Sequence, residues 1–297
     1  MPMALRFIVL LICTWCSFQV SARAVTMESA PPDYLVEASW LQVRLDNPNL
    51  RIVDVRESVD FDREHIKNAV SVSTDALFDS GKRDGYVATV ATVRDLFRSN
   101  GIDNDHLVVL YDDGSFAAAG RAFWIFELYG LEHVYILDGG WTGWSKQSFP
   151  VTQARIQVAP SRYEPVVRSD RLATKFSTTL AIKNPHVEIL DTRTEQEYKG
   201  LVSQAARAGH VPTAINIPAD SVFDDIDGVK HLKSKVELEQ LYHRIGKDKK
   251  VIAYCNKGRN SAVAYFNLRR LGYQAAVFDG SWAEWGNDPK LPVEAEK

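Results

Sequence analysis

The sequence carries the same series of segments twice, and this internal repeat is its strongest constraint on the fold. An apolar run that ends in Asp-x-Arg occurs at 50–56 and again at 187–193. A shorter apolar run follows in each half, at 107–111 and 251–254. In a chain of 297 residues, a repeat of this length predicts two similar domains in tandem.

Within each half, short apolar runs alternate with amphipathic helical patterns. The helical patterns span 93–101, 118–129, 236–246 and 261–271. This alternation predicts an α/β fold in which each domain has a mostly parallel sheet flanked by helices. Residues 25–151 and 168–297 then form the two domains, each long enough to bury a core of its own. The segment 152–167 has two prolines and no clear period, and it is the predicted linker.

The first 24 residues are predicted to be a signal peptide. Arg6 precedes an apolar run at 7–18, and Ala22-Arg23-Ala24 has the small-x-small pattern of a cleavage site. The run is short for a bilayer span, although a retained membrane anchor is the alternative. The mature chain would begin near Val25. It would be periplasmic or secreted, with no stable membrane association once the leader is removed.

The cysteines point to one residue. Cys13 and Cys16 would be lost with the leader, so Cys255 is the single thiol of the predicted mature chain. A lone thiol cannot form an internal disulfide, and an oxidising compartment exposes it to reaction. A buried, inert cysteine is the plain alternative. The residues around Cys255 favour a reactive thiol instead.

Aligning the two halves on their strands places Asp112 opposite Cys255. Both positions follow a strand and precede a helix, which is where open α/β sheets place their sites. Amide N–H groups at a helix start and an inward-facing loop both favour thiolate over thiol, and the cations Lys257 and Arg259 add to this. Gly258 allows a backbone turn that a side chain would obstruct. Asp112 in the same place would repel an anion and cannot attack one.

The motifs in order resemble the tandem-domain rhodanese family. They are Asp-x-Arg, Gly-His-Val-x-x-Ala at 209–214, Cys-x-x-Gly-x-x-Ser at 255–261 and Asp-Gly-Ser-Trp at 279–282. The resemblance covers nearly the whole predicted mature chain, and it implies that the first domain is inactive and the second is catalytic. It implies a sulfurtransferase in which Cys255 takes a sulfane sulfur from a small donor and holds it as a persulfide. Cyanide or another thiophilic acceptor, including a protein thiol, then removes the sulfur. The resemblance implies no cofactor and no metal.

The resemblance also suggests the residues that bind the donor. They are the loop residues and one arginine: Asn256, Lys257, Gly258, Arg259, Asn260, Ser261 and Arg193. Lys257 stands where thiosulfate-using members carry lysine, which favours thiosulfate over 3-mercaptopyruvate. A non-catalytic module that binds a sulfur anion or relays sulfur is a further alternative.

One position departs from the family pattern. Glu197 stands where tandem members usually place an anion-binding arginine. Arg193, Arg259 or Arg207 could compensate, or the donor could differ. Arg193 also has a purely structural interpretation, as the partner of Asp191 in an ion pair.

Other chemistries fit the sequence less well. The related phosphatase loop needs an arginine six positions after the cysteine, where this chain has Ser261. Cys255 lacks neighbouring residues at metal-ligand spacing. A net charge of −3 gives no nucleic-acid footprint, so the expected partners are small sulfur donors and acceptors.

Overall fold

The computed structural model describes residues 31, 33–79 and 86–295. The predicted signal peptide, residues 1–24, lies outside the described residues. Among the helices that are described, none has both the length and the apolar character needed to cross a bilayer.

The first half of the chain folds around a five-stranded parallel sheet. In spatial order its strands are β1 (Leu35–Val36), β6 (Val134–Leu137), β5 (Leu107–Tyr111), β2 (Leu50–Asp54) and β4 (Ala69–Ser71). The helices of this half are α1 (Ala38–Gln42), α2 (Ser58–Arg63), α3 (Val90–Ser99), α4 (Ala117–Leu128) and α5 (Gly140–Lys146). Two short strands, β3 (His65–Ile66) and β7 (Val151–Thr152), form a separate antiparallel pair. Every residue of β5 is buried, which explains its unbroken apolar sequence.

The second half repeats this architecture with the same strand order. In the spatial order used for the first sheet, the strands of its parallel sheet are β8 (Leu172–Ala173), β14 (Gln274–Phe278), β13 (Lys250–Tyr254), β9 (Val187–Asp191) and β10 (Ile215–Asn216). Its helices are α6 (Lys175–Ala181), α7 (Glu195–Tyr198), α8 (Lys235–Leu241), α9 (Arg259–Arg270) and α10 (Ser281–Trp285). The predicted α/β fold with two tandem domains is confirmed.

Some boundaries differ from the prediction. The helix expected at 261–271 begins two residues earlier, because Gly258 adopts the left-handed conformation just before it. The helix expected at 236–246 ends at Leu241 and continues as turns. The predicted linker has no helix or strand after Thr152, but it is not loose. Within it Tyr163 is fully buried and donates a hydrogen bond to the Tyr129 carbonyl oxygen at 2.6 Å.

Each domain buries a hydrophobic core of its own, and a larger core extends across both domains. The core is continuous because α4 of the first domain packs against α9 of the second. Gly120 permits this approach, since a Cβ there would lie 3.3 Å from the Val263 backbone. Phe123 and Phe266 meet edge to face with ring centroids 4.8 Å apart. The packing ties the geometry of α9 to that of the first domain.

Each domain also sends a segment across to the other. The second domain contributes an antiparallel hairpin of β11 (Phe223–Ile226) and β12 (Val229–Leu232), from which His231 Nδ1 lies 2.7 Å from Asp138 Oδ2. The first domain contributes the segment around Val87, whose N–H donates to Asp279 Oδ2 at 2.8 Å. Asp138 and Asp279 follow equivalent strands, so the two crossings are related by the repeat.

Candidate active site

Cys255 lies at the carboxyl end of β13, immediately before the turn into α9. Its side chain is buried, with 4% of the residue exposed. Gly258 follows with φ at 79°, and α9 begins at Arg259. Glycine is needed at this turn because a Cβ would strain the backbone and would lie 2.7 Å from the guanidinium of Arg121. The turn therefore places the start of a twelve-residue helix beside the thiol.

The sulfur atom of Cys255 has two hydrogen-bond donors. The Gly258 N–H donates to Sγ at an N–S distance of 3.0 Å, and the Ser261 hydroxyl lies 3.6 Å from Sγ. The Cys255 N–H donates to Ser281 Oγ at 3.2 Å, and that hydroxyl donates to the Phe278 carbonyl oxygen at 2.8 Å. The two donors to Sγ, the Gly258 N–H and the Ser261 hydroxyl, stabilise a thiolate more than a thiol. The arrangement therefore suits a nucleophilic sulfur.

The remaining polar residues of the loop have different surroundings. Asn256 is partly buried, and its Nδ2 donates to Glu197 Oε1 at 2.8 Å. Lys257 and Asn260 are exposed. Within the described part of the chain, Lys257 forms no hydrogen bond or ion pair. Its ammonium group is therefore free to meet an incoming anion, whereas Asn256 is engaged in fixing the loop.

Glu197 contacts this loop through Asn256. It closes a capping box at the start of α7, where its Oε2 accepts from the Thr194 N–H at 3.2 Å. Burial acts to raise the pKa of Glu197, but hydrogen bonds from Asn256 and Thr194 hold that pKa below its usual value. A negative carboxylate therefore stands near the site at the position where the family resemblance predicted a cation.

Arg259 extends towards the first domain. Its side chain is 56% exposed, and its guanidinium lies 3.8 Å from the Asp75 carboxylate and 5.4 Å from the centre of the Phe78 ring. It also lines a cavity of about 220 Å³ with residues of the first domain, among them Asp112 and Asp113. The side chain thus lies at the domain boundary, and the role of Arg259 in binding the donor stays a prediction.

The first domain keeps the same strand–turn–helix but fills the turn with its own carboxylate. Asp112 accepts from the Gly114 N–H at 2.9 Å, from the Ala118 N–H at 3.2 Å and from the Ala119 N–H at 3.1 Å. Burial raises the pKa of this carboxyl group. The amides that would hold an anion in this domain are thus occupied by a side chain of the same turn.

Comparison with known proteins identifies the same family in both halves of the chain. The profile of the Rhodanese-like domain matches residues 37–147 and 174–288. The chain belongs to the rhodanese family.

Several relatives match nearly the whole chain. Sulfur carrier protein TtuD of Thermus thermophilus is 33% identical over 285 residues, covering 90% of this chain and 98% of that protein. A provisionally named thiosulfate sulfurtransferase of Mycobacterium leprae, SseA, is 33% identical over 277 residues, covering 90% and 92%. Among solved structures, the 3-mercaptopyruvate sulfotransferase SseA of Escherichia coli has a TM-score of 0.76 at 25% identity, covering 84% of this chain and 99% of that chain.

Arg193, which the rhodanese resemblance proposed as a donor-binding residue, lies in the core. Its side chain is 0% exposed and donates to both carboxylate oxygens of Asp191, the closest at 2.6 Å, and to the Gly209 carbonyl oxygen at 2.7 Å. Arg56 and Asp54 form the same pair in the first domain, which has no cysteine. A buried pair present in both domains agrees with the structural interpretation of Arg193, and donor binding by this residue stays a prediction.

Arg207 is also a structural residue. Its guanidinium donates to four backbone carbonyl oxygens in the segment 285–291, including that of Leu291 at 2.6 Å. With Arg193, Arg207 and Arg259 engaged elsewhere, Lys257 is the one cation of the predicted set that remains exposed at the loop without a described partner.

Sequence reasoning missed a residue of the first domain that contacts the loop. Arg121 on α4 donates to the Gly258 carbonyl oxygen at 3.2 Å and pairs with Asp279 at 2.6 Å. A readable signal was present, since Arg121 and Glu127 are the charged residues of an otherwise apolar helix. A charge on a buried helix calls for a partner, although the sequence does not name it.

Proposed function

We propose that this protein transfers a sulfane sulfur from thiosulfate, through a persulfide on Cys255, to cyanide or another thiophilic acceptor. The observation that carries the proposal is the thiol of Cys255, held at the start of α9 with the Gly258 N–H at 3.0 Å. Nucleophilic catalysis needs such a pre-stabilised thiolate.

The chemistry proceeds in two balanced steps. The Cys255 thiolate attacks the outer sulfur of thiosulfate, the S–S bond of the donor breaks, and sulfite leaves with the bonding electron pair. The product is a Cys255 persulfide anion, which the same loop donors stabilise. The carbon of cyanide then attacks the outer sulfur, thiocyanate leaves, and the thiolate is restored.

The choice of donor depends on two opposing charges. The free ammonium group of Lys257 favours a dianion such as thiosulfate, whereas the carboxylate of Glu197 opposes one. The similarity to a 3-mercaptopyruvate sulfotransferase supports 3-mercaptopyruvate, a monoanion, as the alternative donor. The similarity to a sulfur carrier protein supports a relay to a protein thiol as a second alternative.

The test compares the wild-type chain with Cys255→Ala in a thiosulfate and cyanide assay that measures thiocyanate. The intact mass of the resting protein is recorded in parallel. We expect turnover and one added sulfur in the wild type, with both lost in the variant. Lys257→Ala and Glu197→Gln are assayed with thiosulfate and with 3-mercaptopyruvate, to separate the donors.

Other outcomes decide between the alternatives. Turnover with 3-mercaptopyruvate alone would replace thiosulfate as the donor. A stable added sulfur without turnover would favour relay to a protein acceptor. No turnover and no added sulfur with either donor would refute sulfur transfer by Cys255.

We also propose that the chain is exported, with residues 1–24 removed. The support is the charge and apolar pattern of the sequence. Expression of the full chain in a bacterium with a periplasm, followed by fractionation and mass measurement, tests this. A periplasmic protein that starts near Val25 is expected, and an uncleaved membrane-bound chain would contradict it.

A further inference from the structure

A buried cation from the first domain lies against the back of the Cys255 loop. The side chain of Arg121, on α4, is 0% exposed, and its Nη1 is 2.6 Å from Asp279 Oδ1. The same nitrogen donates to the Gly258 carbonyl oxygen at 3.2 Å. The guanidinium also stacks near Trp124, with 4.5 Å between its carbon and the ring centre. Arg121 thus contacts the sulfur loop from a domain that has no cysteine.

The residue that Arg121 contacts is the one that contacts the sulfur. Gly258 donates its N–H to Cys255 Sγ and presents its carbonyl oxygen to Arg121. The guanidinium packs closely here, since a Cβ on Gly258 would lie 2.7 Å from Nη1. The N–H and the carbonyl group of Gly258 lie on either side of its α-carbon, so the backbone angles of Gly258 couple the direction of its N–H to the position of Arg121.

Asp279, in the second domain, binds both Arg121 and the segment around Val87. Its Oδ1 pairs with Arg121, and its Oδ2 accepts from the Val87 N–H at 2.8 Å. Both partners belong to the first domain. Three points of the second-domain site, Gly258 and the two oxygens of Asp279, are therefore fixed by the first domain.

The repeat shows that this contact is specific to the cysteine-bearing loop. Counting from the first residue of each helix, the position in α9 that matches Arg121 is Val263. The equivalent of Asp279 in the first domain, Asp138, meets His231 instead. If the contact served only to join the domains, an arginine could occur at this position of both α4 and α9. It occurs there only in α4, which contacts the loop that carries the thiol.

We propose that Arg121 is a positioning residue for sulfur transfer, by which the first domain holds the Gly258 N–H on the Cys255 sulfur. This rests on the proposed function of Cys255. The first domain, although it lacks a nucleophile, then forms part of the working site of the second.

The test follows alkylation of Cys255 by iodoacetamide across pH, using the mature two-domain chain. Because alkylation requires no donor or acceptor, a failure of the proposed sulfur transfer is recognised separately from a failure of this inference. In Arg121→Met we expect the midpoint of the alkylation profile to move up by about one pH unit. The rate near neutral pH should then fall about tenfold. We expect kcat for thiosulfate to fall more than KM changes.

Two further variants make the result decisive. Arg121→Lys, which can still donate one bond to the Gly258 carbonyl, should lie between wild type and Arg121→Met. Arg269→Met is the matched control, since Arg269 pairs with Glu127 across the same two helices at 3.0 Å without touching the loop. It should lower the unfolding temperature and leave the alkylation profile unchanged.

The inference is overturned if Arg121→Met alkylates with the wild-type profile, or if Arg269→Met shifts the profile equally. Either result would make Arg121 a simple domain contact. If Arg121→Met does not fold, Arg121→Lys is compared with Arg269→Met. An unshifted profile in Arg121→Lys then overturns the inference, and a shift seen in that variant alone supports it.

Discussion

Replacing Gly258 by alanine perturbs the turn that holds the sulfur. Gly258 has φ at 79°, a conformation that costs a residue with a Cβ about 1–2 kcal/mol. The new Cβ would also lie 2.7 Å from Arg121 Nη1 and 3.0 Å from Asp279 Oδ1. These atoms belong to a buried ion pair and cannot move into solvent. Overpacking of this kind adds about 1–3 kcal/mol. The expected loss of stability is therefore about 2–5 kcal/mol.

The chain contains a matched control for the backbone strain. Gly272 follows α9 with φ at 82°, and a Cβ there would meet nothing within 4 Å. Gly272→Ala should therefore cost only the strain, about 1–2 kcal/mol. The difference between the two variants isolates the contact with Arg121 and Asp279.

Thermal unfolding and alkylation of Cys255 measure the two consequences. At about 2 °C per kcal/mol, Gly258→Ala should lower the unfolding midpoint by about 4–10 °C and Gly272→Ala by about 2–4 °C. Only Gly258→Ala should slow alkylation, because only there does the N–H leave the sulfur. Equal midpoints and equal alkylation rates in the two variants would refute both the close packing at Gly258 and the role of its N–H on the Cys255 sulfur.

Four other substitutions test the remaining assignments. Lys257→Ala should raise the KM for thiosulfate tenfold or more, since a charge-assisted contact contributes about 1.5–3 kcal/mol, and an unchanged KM would remove this lysine from the site. Arg193→Met should lower stability by about 3–5 kcal/mol, because Asp191 is left buried and unpaired, while the thiosulfate KM stays the same. A raised KM at normal stability would instead support a donor-binding role for Arg193. Asp112→Ala should lower stability by about 1–3 kcal/mol through three unpaired amides and leave kcat intact, so loss of turnover would contradict an inactive first domain. Glu197 has a folded pKa below its ordinary 4.5, so its ionised form stabilises the fold above that pH and the benefit is lost as pH falls through the lower value. The gap in unfolding temperature between wild type and Glu197→Gln should therefore shrink in acid, and a constant gap would contradict the shift.

The repeat was sufficient to predict the two sheets, the position of the sulfur loop and the replacement of cysteine by Asp112 in the first copy. These features follow from local patterns, because buried strands and helix starts are encoded by neighbouring residues. The same local reading could have explained Glu197. Thr194 and Glu197 stand three apart as in a capping box, a helix-start signal that competes with any assignment to the donor.

Contacts between distant segments could not be predicted this way. Arg121 and Gly258 are 137 positions apart and meet only because α4 and α9 pack together. The contact of Arg259 with Asp75 of the other domain could not be predicted for the same reason, because the two residues are distant in sequence. The sequence left two interpretations of Arg193 open, because a charged residue beside a strand end can be either buried in a pair or directed at a ligand.

The crossed segments have a consequence for how the chain is made. Asp138 meets His231, which follows it by 93 residues. At a synthesis rate of roughly 5–20 residues per second, the ribosome needs roughly 5–20 s to reach that partner. The helix α9 (Arg259–Arg270) is made later still, so the apolar side of α4 stays uncovered throughout this interval. Translation speed and chaperone supply should therefore affect the yield of soluble protein.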